Sequence, residues 1–215
     1  MARSGAGAAS FSRSLTGFRL SREAESRLQA FTQLVKERAV PLGLVADSDV
    51  GRIHDRHVLD CLRALAAFRP EDRVAYDLGS GGGLPGIVLA CALPDRRFLL
   101  VEPKRKAAGF LELAVDRLGL SNVEVLVRRV DQVAEPADLA TARAFAPLPR
   151  AWHAACSVLR PGGRLVYFAG QGLENPEAAA RSLVEPEPPG EVEVLRRVET
   201  VPPLVIMSRS MSPRG

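Results

Sequence analysis

Cysteine is sparse in this chain. The three present, Cys61, Cys91 and Cys156, stand far apart with no metal-ligand spacing. That usage excludes a disulfide-stapled scaffold and a cysteine-based metal site, so buried thiols, no metal and a reducing, cytoplasmic compartment are expected. No run of eighteen apolar residues occurs, which excludes a hydrophobic helix long enough to span a membrane. Neither sign of charge dominates: the formal net charge is +4 and the pI near 9.3. This mild basic excess fits a polyanionic partner and fits many inert proteins equally well. No internal repeat is apparent. At 215 residues, the length suits one catalytic-sized domain with modest extensions.

The patterning that is present divides the chain in four. Residues 1–20 carry Arg3, Arg13 and Arg19 with many Ser and Gly and no acid; this reads as a disordered tail, and a transit peptide has the same composition. Residues 21–70 form a helical extension. Ser21 can cap a helix over 21–38, with Leu28, Phe31, Leu34 and Val35 at helical spacing, and Pro41 and Gly43 break it. A second amphipathic helix is expected over 49–67, with Ile53, Val58, Leu62 and Leu65 inward and Arg52, Arg56 and Arg63 outward. Residues 71–209 then alternate strand and helix: strands at 74–78, 97–101, 123–127, 140–145 and 164–169, helices at 86–93, 104–118, 131–135 and 148–159. Segments 191–198 and 203–209 read as a terminal hairpin, and 210–215 as a tail. Short strands alternating with helices predict a mostly parallel α/β sheet covered on both faces and closed by an antiparallel hairpin.

The densest signal is the turn after the first strand, Asp77-Leu78-Gly79-Ser80-Gly81-Gly82-Gly83-Leu84-Pro85-Gly86. A strand running through glycines into an apolar helix is the unit that cradles adenine cofactors. Two patterns overlap in it. Gly81-x-Gly83-x-x-Gly86 satisfies the dinucleotide pattern, and Asp77-x-Gly79-x-Gly81-x-Gly83 satisfies the glycine loop of S-adenosylmethionine (AdoMet) methyltransferases. A dinucleotide loop faces a pyrophosphate, which a nearby carboxylate repels. Asp77 instead suits a cationic ligand such as the methionine amino group, or the water around it. Glu102, at the end of the next strand, is placed to accept both ribose hydroxyls, as in either class. With the closing hairpin, AdoMet is the favoured cofactor and the fold a Rossmann-like Class I methyltransferase. No Tyr-x-x-x-Lys accompanies the loop to suggest a nicotinamide oxidoreductase.

Three segments in order, Arg56-His57-Val58-Leu59-Asp60, the glycine loop through Gly-Leu-Pro-Gly, and Arg143-Ala144-Phe145-Ala146, resemble the glucose-inhibited division protein B family. The likeness spans about residues 20–209. It implies methylation of a guanine N7 in bacterial small-subunit (16S) ribosomal RNA, with RNA or the ribosomal particle as partner and AdoMet as cofactor; a monomer is expected. Carried over position by position, it implies cofactor contacts at Gly79 and Leu84, ribose binding by Glu102, adenine flanked by Val130 and Asp131, and Arg143 completing the pocket floor; Gly81, from the glycine loop itself, is expected to join the cofactor contacts. Lys106 and Phe110-Leu111 match the helix after Glu102. Three departures stand out: Gly43-Leu44-Val45-Ala46-Asp47 replaces an Asn-Leu-Thr segment, Cys61 replaces a Ser, and Ala169-Gly170-Gln171 occupies a place where Lys-Gly is common.

The absences narrow the chemistry. No cysteine follows a proline, as pyrimidine C5 methylation needs, and no Asn/Asp-Pro-Pro-Tyr/Phe follows the fourth strand, as exocyclic-amine methylation needs. A ring nitrogen fits what remains. Such an acceptor needs no general base, and no catalytic acid or base is expected. Arg56 and His57 are candidates for touching RNA, or for packing the amino-terminal helix on the sheet. Phe145, with Pro147, would form an apolar wall for a stacked guanine or belong to the core. Lys106, with Lys104, Arg105, Arg128 and Arg129, would form a basic rim. A small-molecule methyltransferase and a non-enzymatic RNA-binding module are the alternatives to RNA methylation.

Overall fold

Seven strands form one sheet in the order β3-β2-β1-β4-β5-β7-β6. The structure is a computed structural model, and it describes residues 19–170, 172–196 and 202–211. The tail expected over 1–20 falls almost wholly outside the described residues, as does most of 210–215. The strands are β1 (Val74–Leu78), β2 (Arg97–Val101), β3 (Val123–Leu126), β4 (Ala137–Arg143), β5 (Leu159–Phe168), β6 (Val192–Leu195) and β7 (Leu204–Ser208). β1 to β5 pair in parallel. β7 runs antiparallel to both β5 and β6, which makes the closing hairpin.

The helices are α1 (Arg22–Leu34), α2 (Leu59–Leu62), α3 (Gly86–Ala92), α4 (Arg105–Leu118), α5 (Leu148–Val158) and α6 (Pro176–Arg181). Ser21 caps α1, its hydroxyl accepting from the Ala24 amide at 3.1 Å. α4 ends at Gly119, whose positive φ suits the left-handed cap. Both faces of the sheet are buried. One core joins Leu28, Phe31 and Val35 of the amino-terminal segment to Ile87, Leu89, Phe98, Leu100 and Leu111. The other joins Tyr76, Leu78, Leu99 and Val101 to Trp152, Leu165 and Met207. Two buried staples hold the far end of the sheet. Arg164 pairs with Asp72 at 2.5 Å, and the Asp138 carboxylate accepts from the amides of Arg73 and Val74.

Several elements differ from the sequence expectation: the helix expected over 21–38 is α-helical only to Leu34 and ends in a π-helical turn, Val35–Ala39, and β4 starts at Ala137 and not at 140. The helix expected over 49–67 is an irregular run: a 3-10 turn Asp47–Arg52, a π-helical turn Ile53–Val58, α2, and a 3-10 turn Arg63–Ala67. The helix expected over 131–135 is only a 3-10 turn, Val130–Gln132, because Pro136 lies just beyond and few apolar residues give it a face to bury. β5 starts five residues before Arg164, at Leu159, with Pro161 and a positive-φ Gly162 inside it. No helix among the described residues is long and apolar enough to cross a membrane.

Candidate active site

The strand order reverses between β1 and β4, and the crevice outside their carboxyl ends is where open parallel sheets bind ligands. The glycine turn lies there. The amides of Gly79 and Ser80 both donate to the Val101 carbonyl, at 2.9 and 3.2 Å, so the turn is fastened to the end of β2. Gly79 and Gly81 take φ of +69° and +50°, a region costly for other residues. A Cβ at Gly81 would meet nothing nearer than 3.8 Å, so that backbone face is open to a ligand. Gly82 is covered instead, by Leu44 and Val45. The segment that departs from the family pattern therefore rests directly on the glycine turn.

Glu102 is buried beside this open backbone. One carboxylate oxygen accepts from the Gly81 amide at 3.0 Å and the other from the Lys104 amide at 2.8 Å. Each oxygen keeps a lone pair, so the carboxylate can still accept from a diol. Leu84 is half-buried against one core, and Val130 is buried in the other. The open glycine backbone and the fixed Glu102 carboxylate thus lie side by side at this end of the sheet. Asp131 is exposed and paired with Arg129 at 3.2 Å. Lys106 is exposed in the first turn of α4.

Asp77 is placed differently from the sequence reading. It is 1% exposed, and its oxygens face inward. One accepts from the Thr141 hydroxyl at 2.7 Å and the other from the Gly86 amide at 3.0 Å. Its carboxylate thus ties the start of α3 to β4 and does not face the crevice. Burial pushes its pKa up to about 6, against the lowering by Thr141, Gly86, Ser80 and Arg143.

β4 brings the third part. After Arg143 the chain passes through Ala144 at φ +53°, the one positive-φ residue other than glycine among the described residues. This backbone is strained, as functional turns often are. It lays the Phe145 ring on Gly79, where an added Cβ would fall 2.6 Å from the ring. The Arg143 guanidinium donates to His57 Nδ1 at 2.6 Å and to Cys61 Sγ at 3.4 Å, lies 3.8 Å from Asp60, and sits 5.9 Å above the Phe168 ring. His57 Nε2 is 3.0 Å from Asp49, which also pairs with Arg56 at 3.0 Å. The fold therefore gathers Gly79, Gly81, Glu102, Arg143, Phe145 and His57 at one end of the sheet.

A family model described as rRNA small subunit methyltransferase G (GidB) matches residues 24–186. The chain belongs to this family. Among its relatives is a ribosomal RNA small subunit methyltransferase G from Acidiphilium cryptum, 40% identical over 164 residues that cover 75% of each chain. Another, from Acidothermus cellulolyticus, is 42% identical over 142 residues, covering 66% of this chain and 64% of the relative. Of solved structures, TYW2 from M. jannaschii in complex with AdoMet superimposes with a TM-score of 0.55 at 18% identity, over 74% of this chain and 78% of that one. At that identity the likeness shows the fold, a Rossmann-like methyltransferase fold.

In this member of the rRNA small subunit methyltransferase G family, sequence reasoning missed Asp49 and Thr141. Thr141 lies two residues before the flagged Arg143, on the strand beside Asp77, and parallel pairing of 77 with 141 brings them together. Asp49 had no comparable signal, because a regular α-helix sets positions 49 and 57 about 80° apart around its axis. Only the 3-10 and π-helical turns between them bring the two together. Among the described residues, no three His, Cys, Asp or Glu cluster as metal ligands would.

Proposed function

We propose that this protein transfers a methyl group from AdoMet to N7 of a guanine in bacterial small-subunit ribosomal RNA. The observation that carries the reading is the meeting of the glycine turn, Glu102 and Arg143 at the β1/β4 switch point, in a chain that belongs to the rRNA small subunit methyltransferase G family. The open Gly81 backbone and the Glu102 carboxylate would hold the ribose, Gly79 the methionine end, and Leu84, Val130 and Asp131 the adenine. Arg143 would close the floor of the pocket. Residues 71–209 form the cofactor-binding part in this reading, and residues 21–70 a helical cover over it.

Bound AdoMet supplies an electrophilic methyl on a sulfonium, which leaves as a neutral thioether. Guanine N7 offers a lone pair and carries no proton there, so the protein needs no base. What its residues contribute is alignment and exclusion of water. Phe145, laid on Gly79, would offer a face on which a purine stacks, and stacking of unpaired bases on aromatic rings is the usual mode of RNA base recognition. Exposed Arg52, Arg56, Lys104, Arg105, Lys106 and Arg128 would draw in phosphates, giving salt-sensitive affinity. The proposed partner is small-subunit RNA or its particle, and the proposed site of action the cytoplasm, with the enzyme acting as a monomer.

The test is transfer of labelled methyl from AdoMet to unmodified small-subunit RNA and particles, set beside a panel of small acceptors. Label entering the RNA supports the reading. AdoMet binding with label only in small molecules overturns it in favour of a diverged acceptor.

A further inference from the structure

We propose that Asp49 is a positioning residue: it locks His57 in the tautomer whose Nδ1 accepts from Arg143, and so aims the Arg143 guanidinium at the crevice. The inference rests on the assignment of Arg143 to the cofactor pocket.

The hydrogen bonds leave one consistent protonation pattern. Arg143 has only donors, so at 2.6 Å His57 Nδ1 must offer its lone pair. The ring proton is then on Nε2, donated to the Asp49 carboxylate at 3.0 Å, which can only accept. The side chains of His57 and Asp49 are each 13% exposed, so water competes little for either bond. A doubly protonated ring would point an N–H at a guanidinium.

The charges around the ring agree. Asp49, with Arg56 and Arg52 beside it, faces Nε2 from the turns before α2. Arg143 faces Nδ1 from β4, with Asp60 and Cys61 of α2 on its other side. Burial and the Arg143 charge hold His57 below the ordinary histidine range, and the Asp49 bond restores part of the loss. The neutral ring that the two hydrogen bonds require is therefore also the form its surroundings favour. Burial raises the Asp49 carboxyl, but the hydrogen bond from His57 and the charges of Arg56 and Arg52 work against that, and the carboxyl stays below the ordinary aspartate value. The irregular winding at 47–58 has its reason here, since π-helical turns concentrate at functional sites. Asp49 would thus act on the pocket through two hydrogen bonds without touching a ligand, in the way outer carboxylates orient histidines elsewhere.

The experiment pairs a spectroscopic reading with a binding one, on the full chain. Nitrogen NMR of the ring, with His54 and His153 as internal references, reports which His57 nitrogen carries the proton. The wild type should show Nε2–H and a bare Nδ1 at pH 7; a proton on Nδ1 overturns the proposal whatever any variant does. Calorimetry with S-adenosylhomocysteine then compares variants. Asp49→Leu should mix the tautomers and weaken binding about tenfold, the scale of one lost charged hydrogen bond. Asp49→Asn, which still accepts from Nε2–H, should keep the tautomer and bind within about threefold of wild type. A folded Asp49→Leu protein with mixed tautomers and unchanged affinity overturns the relay. A wild type with the stated tautomer and no affinity for S-adenosylhomocysteine refutes the pocket assignment, and with it the aim we give Arg143, while leaving the tautomer lock standing.

Discussion

Replacing Gly86 with alanine would put a methyl group where the structure has none to spare. The new Cβ would fall 2.6 Å from Asp77 Oδ2 and 2.9 Å from Asp77 Cβ, and would overlap Leu100 as well. Asp77 cannot retreat freely, because Thr141 holds its other oxygen at 2.7 Å. Its bond to the Gly86 amide is itself the reason the two approach so closely. Losing that bond to a buried carboxylate costs about 1.5–3 kcal/mol. Overpacking adds about 1–3 kcal/mol, and the better helix propensity of alanine returns at most about 1 kcal/mol. The net expectation is a loss of about 2–5 kcal/mol. Urea titration followed by circular dichroism measures it: with a slope of about 3 kcal/mol per M, the midpoint falls by about 1–2 M. The control is Gly109→Ala in α4. An added Cβ there meets nothing within 4 Å, so the same exchange should stabilise by about 0.5–1 kcal/mol. Equal midpoints for Gly86→Ala and wild type would refute the packing argument for the Gly-Leu-Pro-Gly turn.

Three further outcomes are expected. Gly79→Asp should abolish AdoMet binding in calorimetry, because a side chain there collides with Phe145 and adds a negative charge beside Glu102; full binding by the folded mutant would remove Gly79 from the pocket. Asp77 has a folded pKa of about 6 against an ordinary 3.8, so the native state favours its protonated form. The stability this gives, at most about 3 kcal/mol, is full below the ordinary value and lost as pH rises through about 6. Asp77→Asn should flatten that part of the stability–pH curve, and an unchanged slope in urea titrations on either side of pH 6 would contradict it. Asp72→Ala strands the buried Arg164 guanidinium, which otherwise meets Asp72 at 2.5 Å, and should cost about 3–5 kcal/mol in the same titration.

The parallel part of the fold was legible because each element carried its own local signal. β1 and β2 fall where apolar runs end in glycine or acid, and α4 where apolar residues recur at helical spacing and stop at Gly119. The irregular parts were hidden for physical reasons. Ile53, Val58, Leu62 and Leu65 do point inward, but so does Arg63, expected outward and in fact buried with its guanidinium on Asp60, and an apolar stripe does not distinguish α, 3-10 and π winding. In β5, Pro161 and Gly162 do interrupt the ladder: Leu159 pairs with Ala137 and Arg164 with Leu139, and the chain bulges between them, so the strand reads as beginning at Arg164. The glycine loop, Glu102 and Arg143 were visible as a motif, an acid at a strand end and a family segment. Asp77 shows where a motif misleads. Its place beside the glycines suggested a ligand contact, while its burial and two internal donors make it a brace for α3. Asp49 and Thr141 gain meaning only from partners 8 and 64 residues away.

The most direct test of the account is the identity of the methylated nucleoside. Unmodified bacterial small-subunit RNA and particles would be incubated with the protein and methyl-labelled AdoMet, digested to nucleosides and resolved by chromatography with mass detection. The account predicts label in N7-methylguanosine alone, lost with Gly79→Asp. Label in a methylated pyrimidine or at an exocyclic amine would contradict the base-free mechanism drawn from the crevice.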